Sequence, residues 1–344
     1  MNERSKMQYF WDICGQEKAV DFLKSAIKNN RVGHAYIFTG PDALGKGTIA
    51  NQFIKSLMCN GTGETKPCNE CAVCRQINNL THPDIFRLGR IQDDKTGKWK
   101  RDIIIDQIRE LKYKLSQGSF LSGWKVAIIS EAELLNINSA NAFLKVLEEP
   151  TAKTIIILIV SDISAVPKTI ASRCQILNFL PVARNEIKDY LLSKEVEEEI
   201  AERCARLALG RPGRAMTLAN NPELLSEEQE QIDSLLKILP RPLIERLRLL
   251  DEVFKTDKDE SISSDRAHRL MESWQMTIRD LILLKLNSEY YTANLSSLPL
   301  LYEVRDKISW ERILHADRLI TELKQLFNNN ISSRNILENL MINL

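Results

Sequence analysis

The sequence predicts an α/β domain built on a parallel sheet, followed by an all-helical remainder. Three observations carry that prediction. Short apolar runs alternate with helical stretches through the first half of the chain. A glycine-rich segment, GPDALGK, stands between one such run and a helix, and strand signals stop after Pro181. Strands that alternate with helices imply a parallel sheet covered on both faces. The length, 344 residues, exceeds a typical single core and suits two or three domains.

Ala35–Thr39 (AYIFT) is a short apolar run that ends at Gly40, hence a strand. Residues 46–57 have helical spacing, and residues 84–88 read as a second strand. Apolar residues at positions 104, 105, 108, 111 and 115 form a helical stripe. Lys125–Ser130 (KVAIIS) is a strand that follows Gly123, and residues 139–148 are a helix ended by Pro150. Residues 154–161 (TIIILIVS) are β-branched and almost wholly apolar, as a central parallel strand should be. Residues 175–179 give one more strand. Residues 186–209 read as two helices, and Gly210-Arg211-Pro212-Gly213 then breaks the chain. From Pro222 onward the pattern is helical, with a polar loop at residues 256–264. The stripes there, for example Leu281, Leu284, Ile313 and Leu314, read as core.

Composition narrows the partners. The chain is 44% hydrophobic and 27% charged, ordinary for a soluble globular protein. Lys and Arg number 47 against 46 Asp and Glu, so no global field draws in nucleic acid. Any DNA contact must come from a local patch or from an assembly. The longest apolar run, residues 155–160, suits a buried strand and not a membrane span. The polar start is unlike a signal peptide, so the expected location is cytoplasmic, without membrane contact. In that compartment seven cysteines argue for metal binding or free thiols.

Gly40-Pro41-Asp42-Ala43-Leu44-Gly45-Lys46 follows a strand and opens a helix, the setting of a phosphate-binding loop. Loop amides and the helix N-terminus can hold an anion, and Lys46 can reach terminal phosphates. The next residue is Gly47, so the hydroxyl that would coordinate Mg²⁺ is missing. Thr48 is no simple substitute, because one step along a helix turns a side chain by about 100°. The other metal-holding position, at the end of KVAIIS, is Ser130 followed by Glu131. A neutral serine holds Mg²⁺ far less strongly than a carboxylate. Glu131 could polarise a water or merely cap the next helix. Two defects in one magnesium site predict weak or absent hydrolysis, while binding of ATP or ADP can survive.

Cys59, Cys68, Cys71 and Cys74 are spaced C-x8-C-x2-C-x2-C in a polar, glycine-containing stretch. Four thiolates fit a tetrahedral structural Zn²⁺ site. An iron–sulfur cluster is the alternative, but the usual C-x3-C-P continuation is absent. Cys14, Cys174 and Cys204 lack metal spacing and read as packing residues.

A phosphate-loop helix that leads straight into a cysteine knuckle resembles the clamp-loader subunits of bacterial DNA polymerase III, members of the AAA+ class. Gly15-Gln16-Glu17 before a helix agrees, as does His34-Ala35-Tyr36-Ile37-Phe38 leading into the loop. Residues 141–150 (NAFLKVLEEP) resemble the family's NALLKTLEEP segment, and Ser172-Arg173-Cys174 matches its SRC motif. The likeness spans residues 10–216. The gamma or tau branch keeps the full loop and the strand-end Asp, whereas the delta-prime branch often loses both and keeps SRC. Gly47 and Ser130 therefore point to delta-prime, as do His82-Pro83-Asp84 and the absence of a long extension after one helical domain.

The resemblance implies three domains: residues 1–180 with the zinc module at 59–74, a helical lid at 181–222, and a helical collar at 223–344. It implies that Arg173 acts in trans as an arginine finger on ATP held by a neighbour. Without the motif, a surface salt bridge would be the better reading of Arg173. Ser161 and Arg214 fall at the family's two sensor positions. The implied partners are gamma/tau and delta subunits in a hetero-oligomer, with the sliding clamp and primer-template DNA in the complex. The chain alone is not expected to be a competent ATPase; the alternative is an active gamma/tau-like ATPase working at its own loop. A zinc-dependent nucleic-acid reader is disfavoured by the neutral charge and the lack of a basic stripe around the cysteines.

Overall fold

A computed structural model describes residues 7–92, 100–121, 123–255, 264–326 and 332–344. The chain divides into two compact units, Met1–Ile187 with Gly210–Gly213, and Lys188–Leu209 with Arg214–Leu344.

The strands are β1 (Gln8–Tyr9), β2 (Ala35–Thr39), β3 (Thr65–Lys66), β4 (Ile85–Leu88), β5 (Lys125–Ser130), β6 (Thr154–Val160) and β7 (Gln175–Asn178). Five of them form one parallel sheet in the order β4-β5-β6-β2-β7. The helices of the first unit are α1 (Glu17–Lys28), α2 (Lys46–Met58), α3 (Ala72–Asn78), α4 (Ile105–Ser116), α5 (Ile137–Glu148) and α6 (Lys168–Ala171). Strand alternation sorts the core between the two faces. Tyr36, Phe38, Val126, Ile128, Ile155 and Ile157 pack with α1, α2 and α3 on one face. Ala35, Ile37, Ala127, Ile129, Ile156 and Leu158 pack with α4, α5 and α6 on the other. Both sets are buried, which explains why β6 reads as an unbroken apolar run. Each fully buried Val, Leu, Ile or Phe among them stabilises the fold by about 1.5–3 kcal/mol.

β2 lies between β6 and β7, and the chain leaves its carboxyl end through the phosphate loop into α2. A crevice outside the carboxyl ends of strands, where neighbouring connections diverge, is where open parallel sheets bind ligands. The short strands β1 and β3 pair in parallel and tie the N-terminal segment to the cysteine module.

The remaining helices are α7 (Arg184–Leu192), α8 (Glu198–Leu207), α9 (Pro212–Asn220), α10 (Pro222–Ile238), α11 (Leu243–Lys255), α12 (Ser264–Lys285), α13 (Leu298–Lys307), α14 (Trp310–Leu326) and α15 (Ser333–Asn343). The second unit is helical throughout its described residues apart from loops. Trp274, Leu281, Leu284 and Ile313 are buried there, and Leu314 is half-buried.

The break read at Gly210-Arg211-Pro212-Gly213 separates α8, which ends at Leu207, from α9, which opens at Pro212 within it, since proline suits a first helical turn. One local reading is corrected. Helix α5 begins at Ile137 and not at Ser139, because the Asn136 side chain accepts the Ser139 N–H at 2.9 Å and caps it. Of the polar loop read at 256–264, positions 256–263 lie outside the described residues, and Ser264 opens α12.

Candidate functional site

The phosphate loop keeps the backbone such a site needs. Gly40 has φ 141° and Gly45 φ 90°, conformations that favour glycine. A side chain at Gly40 would run into the Phe179 carbonyl. Gly213 donates its N–H to the Ala43 carbonyl at 2.8 Å, and a Cβ on Gly213 would lie 2.9 Å from that oxygen. The loop is thus pinned from two sides by close backbone packing.

Lys46 is the first residue of α2 and only 5% exposed. Its ammonium donates to the carbonyls of Pro41 at 3.1 Å, Val160 at 3.0 Å and also Gly40. Asp42 faces it at 3.5 Å. Burial lowers the Lys46 pKa from its usual value, and Asp42 pulls it back up. Gly47 and Thr48 are exposed, and a Cβ on Gly47 would meet nothing within 4 Å. The missing hydroxyl is therefore not a consequence of crowding.

Ser161 donates its hydroxyl to Asp42 at 3.2 Å, and its N–H goes to Glu133 at 2.9 Å. The fold thus brings Gly40, Gly45, Lys46 and Ser161 to one place, at the ends of β2 and β6. Ser130 ends β5 with its side chain exposed. Glu131, in a left-handed conformation at φ 52°, forms a bidentate pair with Arg90 at 2.9 and 2.6 Å. It makes no side-chain cap bond to the turn that follows, so the helix-cap alternative is replaced by this ion pair.

Arg173 lies just past α6, exposed, with one amino group 2.7 Å from Glu148 and the other 3.0 Å from the Thr169 carbonyl. Arg214 belongs to the second unit, where it pairs with Glu228 and lies 3.8 Å from Glu272.

The four cysteines come together as their spacing suggested. Cys59 directly follows α2, and Cys71 caps α3. All four Sγ atoms lie within 4.8 Å of one another, with Cys59 and Cys68 at 3.5 Å. Tetrahedral zinc with Zn–S bonds of about 2.3 Å needs sulfurs about 3.8 Å apart, so this donor set fits a Zn²⁺ ion. Main-chain N–H groups of Gly61, Cys68, Cys71 and Cys74 point at the sulfurs at 3.3–3.4 Å. Burial alone would raise the Cys71 thiol, but N–H groups of Cys74 and Asn60 bring it down to about 6, while burial pushes the Cys59 and Cys74 thiols up.

Several supporting residues escaped sequence reasoning. Glu133 and Arg90 left no periodic or motif signal, and Glu148, although inside the NAFLKVLEEP segment, gave no sign of its pairing with Arg173. The motif Gly15-Gln16-Glu17 gains a structural meaning. The Gln16 amide donates to the Leu180 carbonyl at 2.7 Å and accepts the Leu180 N–H at 3.1 Å. In His82-Pro83-Asp84, the Asp84 carboxylate is buried and accepts the N–H groups of Phe120 and Leu121 and the Ser119 hydroxyl. Burial would raise that carboxyl, yet these donors hold it below its usual range.

A family model described as DNA polymerase III, delta subunit, matches residues 15–183. The tau subunit of DNA polymerase III from Bacillus subtilis is 34% identical over 180 residues, which cover 52% of this chain and 30% of that one. The delta-prime subunit from the same organism is 32% identical over 224 residues, 65% of each chain. The chain thus spans less than two thirds of either relative. Among solved structures, a gamma-subunit-related protein from Thermotoga maritima aligns over 95% of this chain and 98% of its own, with TM-score 0.50 and 18% identity, a likeness of fold. No helix among the described residues is long and apolar enough to cross a membrane.

Proposed function

The chain belongs to the DNA polymerase III clamp-loader family, and from that premise we propose that it is a delta-prime-like subunit with little or no ATP hydrolysis of its own. Its role is to help load the sliding clamp onto primed DNA, in the cytoplasm, within a hetero-oligomer of gamma/tau and delta subunits. One observation carries the choice within the family. The loop keeps its cradle, yet both groups that would hold Mg²⁺ are gone, at Gly47 and Ser130, and Glu131 is taken up by Arg90.

Nucleotide, ATP or ADP, would rest on Gly40, Gly45, Lys46 and the N-terminal amides of α2, with Gly47 and Thr48 beside the phosphates. Ser161 and Arg214 are proposed to sense it. Arg173 is the proposed finger: its guanidinium is exposed, and its contacts to Glu148 and the Thr169 carbonyl would have to give way for it to reach a phosphate on a neighbouring subunit. Cys59, Cys68, Cys71 and Cys74 would hold a structural Zn²⁺, which closes the module and takes no part in the chemistry because protein ligands fill all four positions. We assign residues 181–222 as lid and 223–344 as collar.

A gamma/tau-like ATPase is the second reading, supported by retention of Lys46 and by similar identity to both branches. A turnover assay on the purified chain separates the two. We expect no steady hydrolysis; turnover that disappears in Lys46→Ala would sink the delta-prime assignment.

A further inference from the structure

We propose that Asp42 is a counter-ion built into the phosphate loop, one that competes with nucleotide phosphates for Lys46 and weakens triphosphate binding more than diphosphate binding. This rests on the reading of the loop as a nucleotide site. Asp42 sits inside the anion-binding turn itself, its side chain 82% exposed and its carboxylate 3.5 Å from the Lys46 ammonium. The Ser161 hydroxyl holds that carboxylate at 3.2 Å, and Glu133 grips the Ser161 N–H at 2.9 Å. Two acids thus flank the position where terminal phosphates would lie, Glu133 from the turn after β5 and Asp42 from the loop. Lys46 also spends its protons on the carbonyls of Gly40, Pro41 and Val160.

An arriving phosphate must therefore share Lys46 with Asp42 and accept repulsion from it. The repulsion grows with phosphate charge, so each added phosphoryl group gains less than it would beside an unopposed lysine. The site is built to favour the diphosphate, which suits a loop that lacks its metal ligands and cannot rely on Mg²⁺ to neutralise a triphosphate.

Asp42→Asn tests this on the full-length purified chain. Asparagine keeps the size and the acceptor for Ser161 but removes the charge, so a purely structural role would leave binding unchanged. Calorimetric titration with ATP and ADP should show ATP bound roughly three- to tenfold tighter by the variant, with a smaller gain for ADP. The gain should shrink at high salt, because exposed charges are screened. Equal or weaker ATP binding, or a gain the same for ADP and ATP, overturns the proposal. If the wild-type chain binds nucleotide through Lys46 but Asp42→Asn changes nothing, the nucleotide reading stands and only the counter-ion fails. If neither protein binds ATP or ADP, both fail.

Discussion

Helix α2 joins two candidate binding sites that differ in completeness. Lys46 begins it in the phosphate loop, and Cys59 follows its last residue, Met58, about 20 Å away along 13 residues. At the cysteine end every donor is present, and the sulfurs converge within 4.8 Å. At the phosphate end the backbone cradle is intact, but the positions that would carry metal-binding oxygens hold Gly47 and an exposed Ser130. The difference teaches that a cradle and its chemistry are maintained by different forces. The loop is also a packing element, with Gly40 under the Phe179 carbonyl and Gly213 against the Ala43 carbonyl. It would keep its shape even with no turnover to support. The cysteine module is tied to the core through Val73 and Ile77 of α3, while its loops around Cys59 and Cys68 would depend on a bound ion to hold their shape.

The largest effect is expected at the cysteine end. Cys74 is fully buried, and Cys74→Ser should abolish stoichiometric zinc and destabilise the first unit by about 3 kcal/mol or more. Metal analysis and thermal unfolding check it; retained zinc with unchanged melting would show that the module is not a metal site. Next comes the cradle. Gly40→Ala forces a side chain against the Phe179 carbonyl at a φ of 141°, and should cost about 2 kcal/mol even without nucleotide. A loss seen only with nucleotide bound would mean the loop is functional and not structural. The smallest effect is a restoration. Gly47 has open space around it, so the double change Gly47→Thr with Ser130→Asp should be tolerated. It should make nucleotide binding Mg²⁺-dependent, with about tenfold tighter binding at saturating Mg²⁺. Failure to gain any Mg²⁺ dependence would show that more than these two groups has been lost.

Much of this was legible in the sequence, for identifiable reasons. The central strands β2, β5 and β6 declare themselves because both faces are buried, and the cysteine cluster because metal ligands need fixed spacing. What stayed hidden depends on tertiary placement. Arg90 meets Glu131 across 41 positions, and Glu148 meets Arg173 across 25. Nothing local marks either pairing. The Asn136 cap and the helix start at Pro212 were legible in principle, since both residues are favoured at helix N-termini. Strands β1 and β3 could not be read, because two-residue pairings leave no periodicity.

The central claim is that chemistry has passed from this chain's own loop to a neighbour's. The most direct test is ATPase activity of the reconstituted loader, with Arg173→Ala and Lys46→Ala placed separately in this subunit. The account predicts that Arg173→Ala cuts the activity of the assembled complex by about 10³-fold at the affected site, and that Lys46→Ala leaves it nearly unchanged. The reverse pattern, loss with Lys46→Ala and none with Arg173→Ala, would contradict it.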